Sequence, residues 1–118
     1  MKCLSIRQPW AEAIVLGLKP LENRDWYTNV RGEIFIHAGR TFDKDGLAFL
    51  QKEFRLFLGK TESDFLLGGL VGKTEIVDCI KKSTSKWFFG KWAFVMKNSR
   101  KIEFVPYKGQ LGFFEVSL

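Results

Sequence analysis

The chain opens on an alternating segment, Met1–Ile6, with Leu4 and Ile6 on one side, and this pattern predicts a short strand. Pro9 then stands where a first helical residue belongs, since its missing amide costs nothing there. Trp10, Ala13, Ile14 and Val15 follow at helical spacing, and Gly17 can close the helix in the left-handed conformation. A helix of only about two turns must be held by packing rather than by propensity. Lys19-Pro20 forces extended backbone, because proline disfavours helix in the residue before it. Leu21–Trp26 reads as a strand or an extended edge.

After the Arg31-Gly32 turn, Glu33–Ala38 alternates again, with Ile34 and Ile36 on one face and Phe35 and His37 on the other. Asp43 or Asp45 can start a second helix. Its face is spelled by Leu47, Leu50, Phe54, Phe57 and Leu58, and Gly59 ends it. Leu66–Ile80 is a long β-prone run in which Gly68, Gly69 and Gly72 predict a bend or bulge. Lys91–Lys97 and Lys101–Val105 read as hairpin partners joined across Asn98-Ser99-Arg100, and Gly112–Leu118 supplies the last strand. About six strands with two helices fit a small closed or nearly closed barrel, which removes exposed edges. The expected class is α+β, dominated by a mixed β-barrel with the helices plugging or flanking it.

Composition narrows this further. The length, 118 residues, suits one domain over 1–118, and 46% apolar residues with twelve Phe and four Trp supply an adequate core. No run approaches a membrane span, and the first residues do not continue as a signal peptide, so a cytoplasmic protein is expected. Cys3 and Cys79 lie in apolar runs without metal-ligand spacing; a buried reduced pair is expected, with no metal and no cofactor. Residues 1–80 balance eleven basic against eleven acidic side chains, so the whole net charge of +6 sits in residues 81–118. A basic third attracts polyanions, although scattered lysines serve solubility equally well.

The residues that suggest chemistry cluster early. Gln8, Trp10, Lys19, Glu22, Arg24 and Trp26 fall close to three chain reversals. Lys19 and Arg24, across a proline-stiffened segment, can both reach a phosphate or a carbonyl oxygen, with Glu22 pairing with either. The glycine-and-proline setting is expected to expose Lys19. Gln8 and Trp10 stand at the start of the first helix, where free amides favour an anion; Trp10 also reads as core. Trp26, in a polar neighbourhood, suits base stacking, with Tyr27 a lesser candidate. Glu75 lies in a strand that reads as buried and needs a cationic partner, for which Lys19 or Arg24 would serve. Lys108 sits in a glycine-flanked loop that can grip a phosphate or simply turn the chain. His37, the only histidine, reads as a hydrogen-bonded structural residue.

Gly17, Lys19, Glu22 and Arg24 spell G-x-K-x-x-E-x-R, which resembles the signature of the ASCH family, the activating signal cointegrator homology domains of the PUA-like superfamily. LSIRQPW, RGEIFIHA, GLVGKTEIVDC and PYKGQLGFFEV look like that family's successive blocks, in order. The resemblance implies a PUA-like barrel. It fits a nucleic-acid-binding module that holds RNA or a single strand in its mouth, with Lys19, Arg24 and Lys108 on phosphates. It also raises hydrolase action on acetylated cytidine or on RNA. For the first, Lys19 matches the lysine and Glu75 would be the glutamate, but Glu22 stands where those enzymes carry threonine. A protein-interaction domain fits the family name, with no specific residue behind it.

Overall fold

The computed structural model describes residues 1–118. The elements are β1 (Lys2–Gln8), α1 (Trp10–Val15), β2 (Leu21–Arg24), β3 (Gly32–Phe42), α2 (Lys44–Phe54), a 3₁₀ turn (Glu62–Asp64), β4 (Gly69–Ile80), β5 (Trp92–Pro106) and β6 (Phe113–Glu115). The strands form one six-stranded sheet in the order β2-β5-β4-β3-β1-β6. It is mixed: β1 runs parallel to β3, and the other neighbours are antiparallel. No helix is long and apolar enough to cross a membrane.

The two edge strands, β2 and β6, share no backbone ladder. Side chains bridge the seam instead. Arg24 at the end of β2 donates from Nη2 to the Ser5 carbonyl of β1 at 3.1 Å. Trp26, two residues further, meets Phe113 of β6 edge-on at 5.9 Å and Phe94 of β5 at 5.3 Å. The curled sheet is thus barrel-like, and its seam is where the first group of candidate residues gathers.

The α1 helix packs on the sheet through Ala11, Ala13, Ile14 and Val15, all buried. Gly72 lets it approach, since a Cβ there would come within 2.4 Å of Val15 Cγ1. Gly17 ends the helix at φ 76, and the Leu18 amide reaches back to the Ala13 carbonyl at 2.9 Å. This is a Schellman turn. It folds the next residue inward, so that the Lys19 amide also bonds Ala13 O, at 3.0 Å.

Both faces of the sheet carry core. Leu4, Ile6, Ile34 and Ile36 join the main cluster with α1, while Cys3, Phe35, Leu70 and Phe114 form a smaller one on the other face. Burial pushes the Cys3 thiol up to about 12, so it stays protonated at neutral pH, and both cysteines are free and buried.

Three expectations are corrected. The second helix ends at Phe54, not at Gly59: Arg55 turns left-handed at φ 53, and Gln51 Nε2 holds the carbonyls of Phe57 and Lys60 in the turn beyond it. The expected hairpin at Asn98 is one strand of 15 residues. Asn98, at φ 55, makes a bulge there, not a reversal. Between Glu75↔Lys97 and Lys73↔Arg100 the longer strand gains a residue on β4, and pairing continues. Glu75 is not buried: Thr74 and Ile76 take the inward positions, and Glu75 stands half-exposed between Glu33 and Lys97.

Candidate nucleic-acid interface

Glu22 is the carboxylate that satisfies Lys19 and Arg24. Lys19, only 3% exposed, donates to Glu22 Oε1 at 3.2 Å and to the Leu21 carbonyl. Arg24 meets Glu22 Oε2 from Nε at 3.1 Å and from Nη2 at 3.0 Å. Glu22 and Arg24 share a face of β2 by alternation, and the Schellman turn delivers Lys19 beneath them. The expectation of an exposed Lys19 is therefore corrected: the same glycine that was expected to expose it turns it inward. Its ammonium lies 5.6 Å from the centroid of the Trp10 ring, a cation–π contact.

This triad forms the floor of a cleft of about 630 Å³. Its aromatic walls are Trp10, Trp26, Trp87 and Phe89. Its charged walls are balanced, with the cations Arg7, Lys19 and Arg24 against the carboxylates Glu22, Asp25 and Asp43. Trp10 is fixed by its indole N–H, which donates to Asp43 Oδ2 at 2.9 Å, while Asp43 Oδ1 caps α2 by accepting the Gly46 amide at 2.9 Å. A Cβ on Gly46 would strike the Trp10 indole at 2.7 Å, so glycine is needed for this approach. Burial pushes the Asp43 carboxyl up, yet the Trp10 N–H, the Gly46 and Asp45 amides and the Arg7 charge together hold it below the ordinary value.

The outer wall is the segment between β4 and β5, clamped by Asn23. The Asn23 amide donates to Trp87 O at 2.9 Å, and its carbonyl accepts the Phe89 amide at 2.9 Å. Trp87 stacks on Phe54 of α2 with centroids 3.8 Å apart. Phe89 is left 52% exposed and Trp26 38% exposed at the mouth.

The other expected site residues lie elsewhere or are already occupied. Gln8 is fully buried and consumed: Nε2 donates to Leu66 O at 3.1 Å, and Oε1 accepts the Glu12 amide at 2.8 Å. It occupies one of the first-turn amides of α1, that of Glu12, which were expected to favour an anion. Tyr27 packs edge-on against Trp92 at 5.1 Å and does not line the cleft. Glu75, expected beside Lys19 or Arg24, does not line it either. His37 is a structural residue, with Nε2 donating to Tyr107 O at 2.7 Å and Nδ1 accepting from Ser5 Oγ at 2.9 Å. Lys108 lies in a second cleft, which adjoins the first at Ser5.

Sequence reading missed Arg7, Asn23, Asp43, Trp87 and Phe89 as cleft residues. A signal for two of them was present. Lys86-Trp87-Phe88-Phe89-Gly90-Lys91 interleaves aromatics with lysines in a segment that joins two strands.

Comparison with known proteins agrees with this architecture. Activating signal cointegrator 1 of Homo sapiens is 33% identical over 112 residues, which is 85% of this chain and 19% of that protein. The Mus musculus protein of the same name is 38% identical over 84 residues, 68% of this chain and 14% of that one. The chain thus spans less than a fifth of the length of the curated relatives it matches. The crystal structure of ASCH from Zymomonas mobilis aligns with a TM-score of 0.59 at 13% identity, covering 98% of this chain and 87% of that one, a likeness of fold. The family model described as ASCH domain matches residues 4–112, and the chain belongs to that family.

Proposed function

We propose that this chain is a nucleic-acid-binding module that takes an unpaired base of RNA, or of another single strand, into the cleft above Glu22. The observation that supports it most is the combination of three exposed or half-buried aromatic rings, Trp10, Trp26 and Phe89, around charge-balanced walls. A neutral aromatic slot suits a base better than a phosphate, because stacking on a base is tolerant of its identity and needs no net charge. Arg24 Nη1 donates to nothing in the protein, so it keeps donors for an acceptor on the base edge. Phosphates belong beside the aromatic wall, where Lys86 and Lys91, flanking Trp87 and Phe89 in the chain, are exposed and form no ion pair.

This differs from the arrangement expected from sequence, in which Lys19 itself met a phosphate. Lys19 is instead the support of Glu22 and, through it, of Arg24. The hydrolase reading has less beneath it, because Glu75 is outside the cleft and Glu22 occupies the place beside Lys19. The name of the mammalian relatives describes a cointegrator, a role that belongs to proteins of which this chain matches less than a fifth.

The reading is tested by titrating short single-stranded RNAs and the matching duplexes against the protein while following tryptophan fluorescence. Single strands should quench the cleft tryptophans and bind more tightly than duplexes. Phe89→Ala, at an exposed ring, should weaken that binding about 5- to 150-fold, the range of one lost base–aromatic stack. Equal binding of duplex and single strand, insensitive to Phe89, would remove the base slot.

A further inference from the structure

The second cleft, of about 820 Å³, opens between the end of β3, the start of β4 and the Pro106–Leu111 loop. Its charge differs from that of the first. It is lined by two cations, Arg40 and Lys108, and by no carboxylate. Both cations are exposed, and neither forms an ion pair. The Arg40 side chain lies along Gly68, whose absent Cβ would stand 3.5 Å from Arg40 Cγ and Nε.

The loop opposite is pressed onto His37, for a Cβ on Gly109 would come within 2.7 Å of its Cε1. Tyr107 anchors the loop at one end, its amide donating to Gly68 O at 3.2 Å and its carbonyl accepting from His37 Nε2. The next amides, of Lys108, Gly109 and Gln110, donate to no acceptor in the protein. Two free cations and a run of free amides match the donor set of a phosphate group.

The two clefts meet at one residue. The Ser5 carbonyl accepts from Arg24 in the first, and the Ser5 hydroxyl donates to His37 in the second. Ser5 is thus the lining residue that the two clefts have in common.

We infer that the Arg40–Lys108 cleft is a phosphate subsite, holding a phosphodiester of the same strand whose base occupies the cleft above Glu22. This rests on the proposed base-binding reading. It adds a direction to the bound strand and sets its minimum length above one nucleotide. Trp26 and Phe89 then hold the base, while Arg40 and Lys108 hold the backbone beside it. Phosphate contacts position a strand and base contacts select it, so the subsite should raise affinity without changing base preference.

The test is a length series of adenylate and uridylate oligomers, from one to four nucleotides, with the full chain and with the Arg40→Glu/Lys108→Glu double variant. Both residues are exposed and make no ion pair, and the variant's fold is checked by its melting curve. For the unaltered protein, affinity should rise at least tenfold between one nucleotide and three, with log K falling against log salt by about 0.7 for each phosphate held. In the variant the rise with length should vanish and the salt slope should drop by about 0.7, the share of one phosphate, while the mononucleotide still binds. Undiminished length dependence in the variant would overturn the subsite and leave the base slot standing. Absence of binding by any oligomer would overturn both. Inorganic phosphate alone is the remaining arm: saturable shifts of the Lys108–Gln110 amides, with no gain from oligomer length, would make the cleft a free-anion site and overturn the phosphodiester assignment.

Discussion

Lys19 and Glu22, three residues apart and both buried, hold one another at 3.2 Å beneath the mouth of the sheet. The pair is completed by Arg24 on the second carboxylate oxygen, and Arg24 continues to the Ser5 carbonyl across the seam. Three residues of the octet therefore do structural work at the point where the barrel lacks a backbone ladder. A site built on such a support is preorganised, and removing the support disturbs the site indirectly.

Lys19→Ala should consequently destabilise the protein. Breaking a buried pair leaves an uncompensated charge, at a cost of about 3–5 kcal/mol; Arg24 still faces Glu22, so about 3 kcal/mol is expected here. Urea unfolding measures it. A change below about 0.5 kcal/mol, the scale of an ordinary surface site, would show Lys19 to be dispensable to the fold.

Asn23→Ala should release the aromatic wall. The side chain makes two hydrogen bonds to the Trp87–Phe89 backbone, each contributing about 1 kcal/mol. Stability should fall by about 1–2 kcal/mol, and hydrogen exchange should accelerate at Phe89, whose amide loses its acceptor. Unchanged exchange at Phe89 would mean that the stack of Trp87 on Phe54 holds the wall alone.

Glu75→Gln should be close to silent, within about 0.5 kcal/mol. Glu75 is half-exposed and forms no ion pair, in contrast to Glu22. A melting shift as large as that of Lys19→Ala would require a partner for Glu75 that the fold does not provide.

Asp43 makes stability depend on acid pH. Its carboxyl is held below the ordinary value, so the folded state favours the charged form. The contribution is full above the unfolded-state pKa of about 3.9 and is lost as pH falls through the depressed folded value. The stability difference between the unaltered protein and Asp43→Asn should be constant from pH 7 to 5 and shrink below about pH 4. A difference that persisted unchanged in acid would assign the role of Asp43 to shape and not to charge.

Much of the fold is legible in local pattern. The α1 helix, which starts at Trp10 with Pro9 as its N-cap and not as its first helical residue, the faces of Glu33–Ala38 and the inward pair Leu4 and Ile6 all follow from spacing, because each is decided within a few residues. Asn98 misleads, since the same left-handed residue serves a hairpin turn and a bulge, and only β4 running alongside decides between them. Glu75 misleads for a related reason. The apolar run of Ile76, Val77 and Ile80 reads as buried throughout, and only the pairing with β3 and β5 shows that Thr74 and Ile76 face inward while Glu75 stands between Glu33 and Lys97. Three residues of G-x-K-x-x-E-x-R, namely Lys19, Glu22 and Arg24, line the first cleft. The charges of this octet pointed to a ligand because no local pattern shows that Lys19 and Glu22 are buried against each other. The Trp87–Phe89 wall lies 64 and 66 residues from its clamp Asn23, a contact that no spacing rule reaches.

The central claim, an unpaired base held between Trp26 and Phe89, is tested most directly by photocrosslinking. A single-stranded RNA carrying one photoreactive uridine is irradiated with the protein, and the crosslinked peptide is mapped. Crosslinks are expected at Trp26, Trp87 or Phe89, lost when the same RNA is presented as a duplex. Crosslinks confined to the exposed face of β4 and β5, around Glu75 and Lys97, would contradict it.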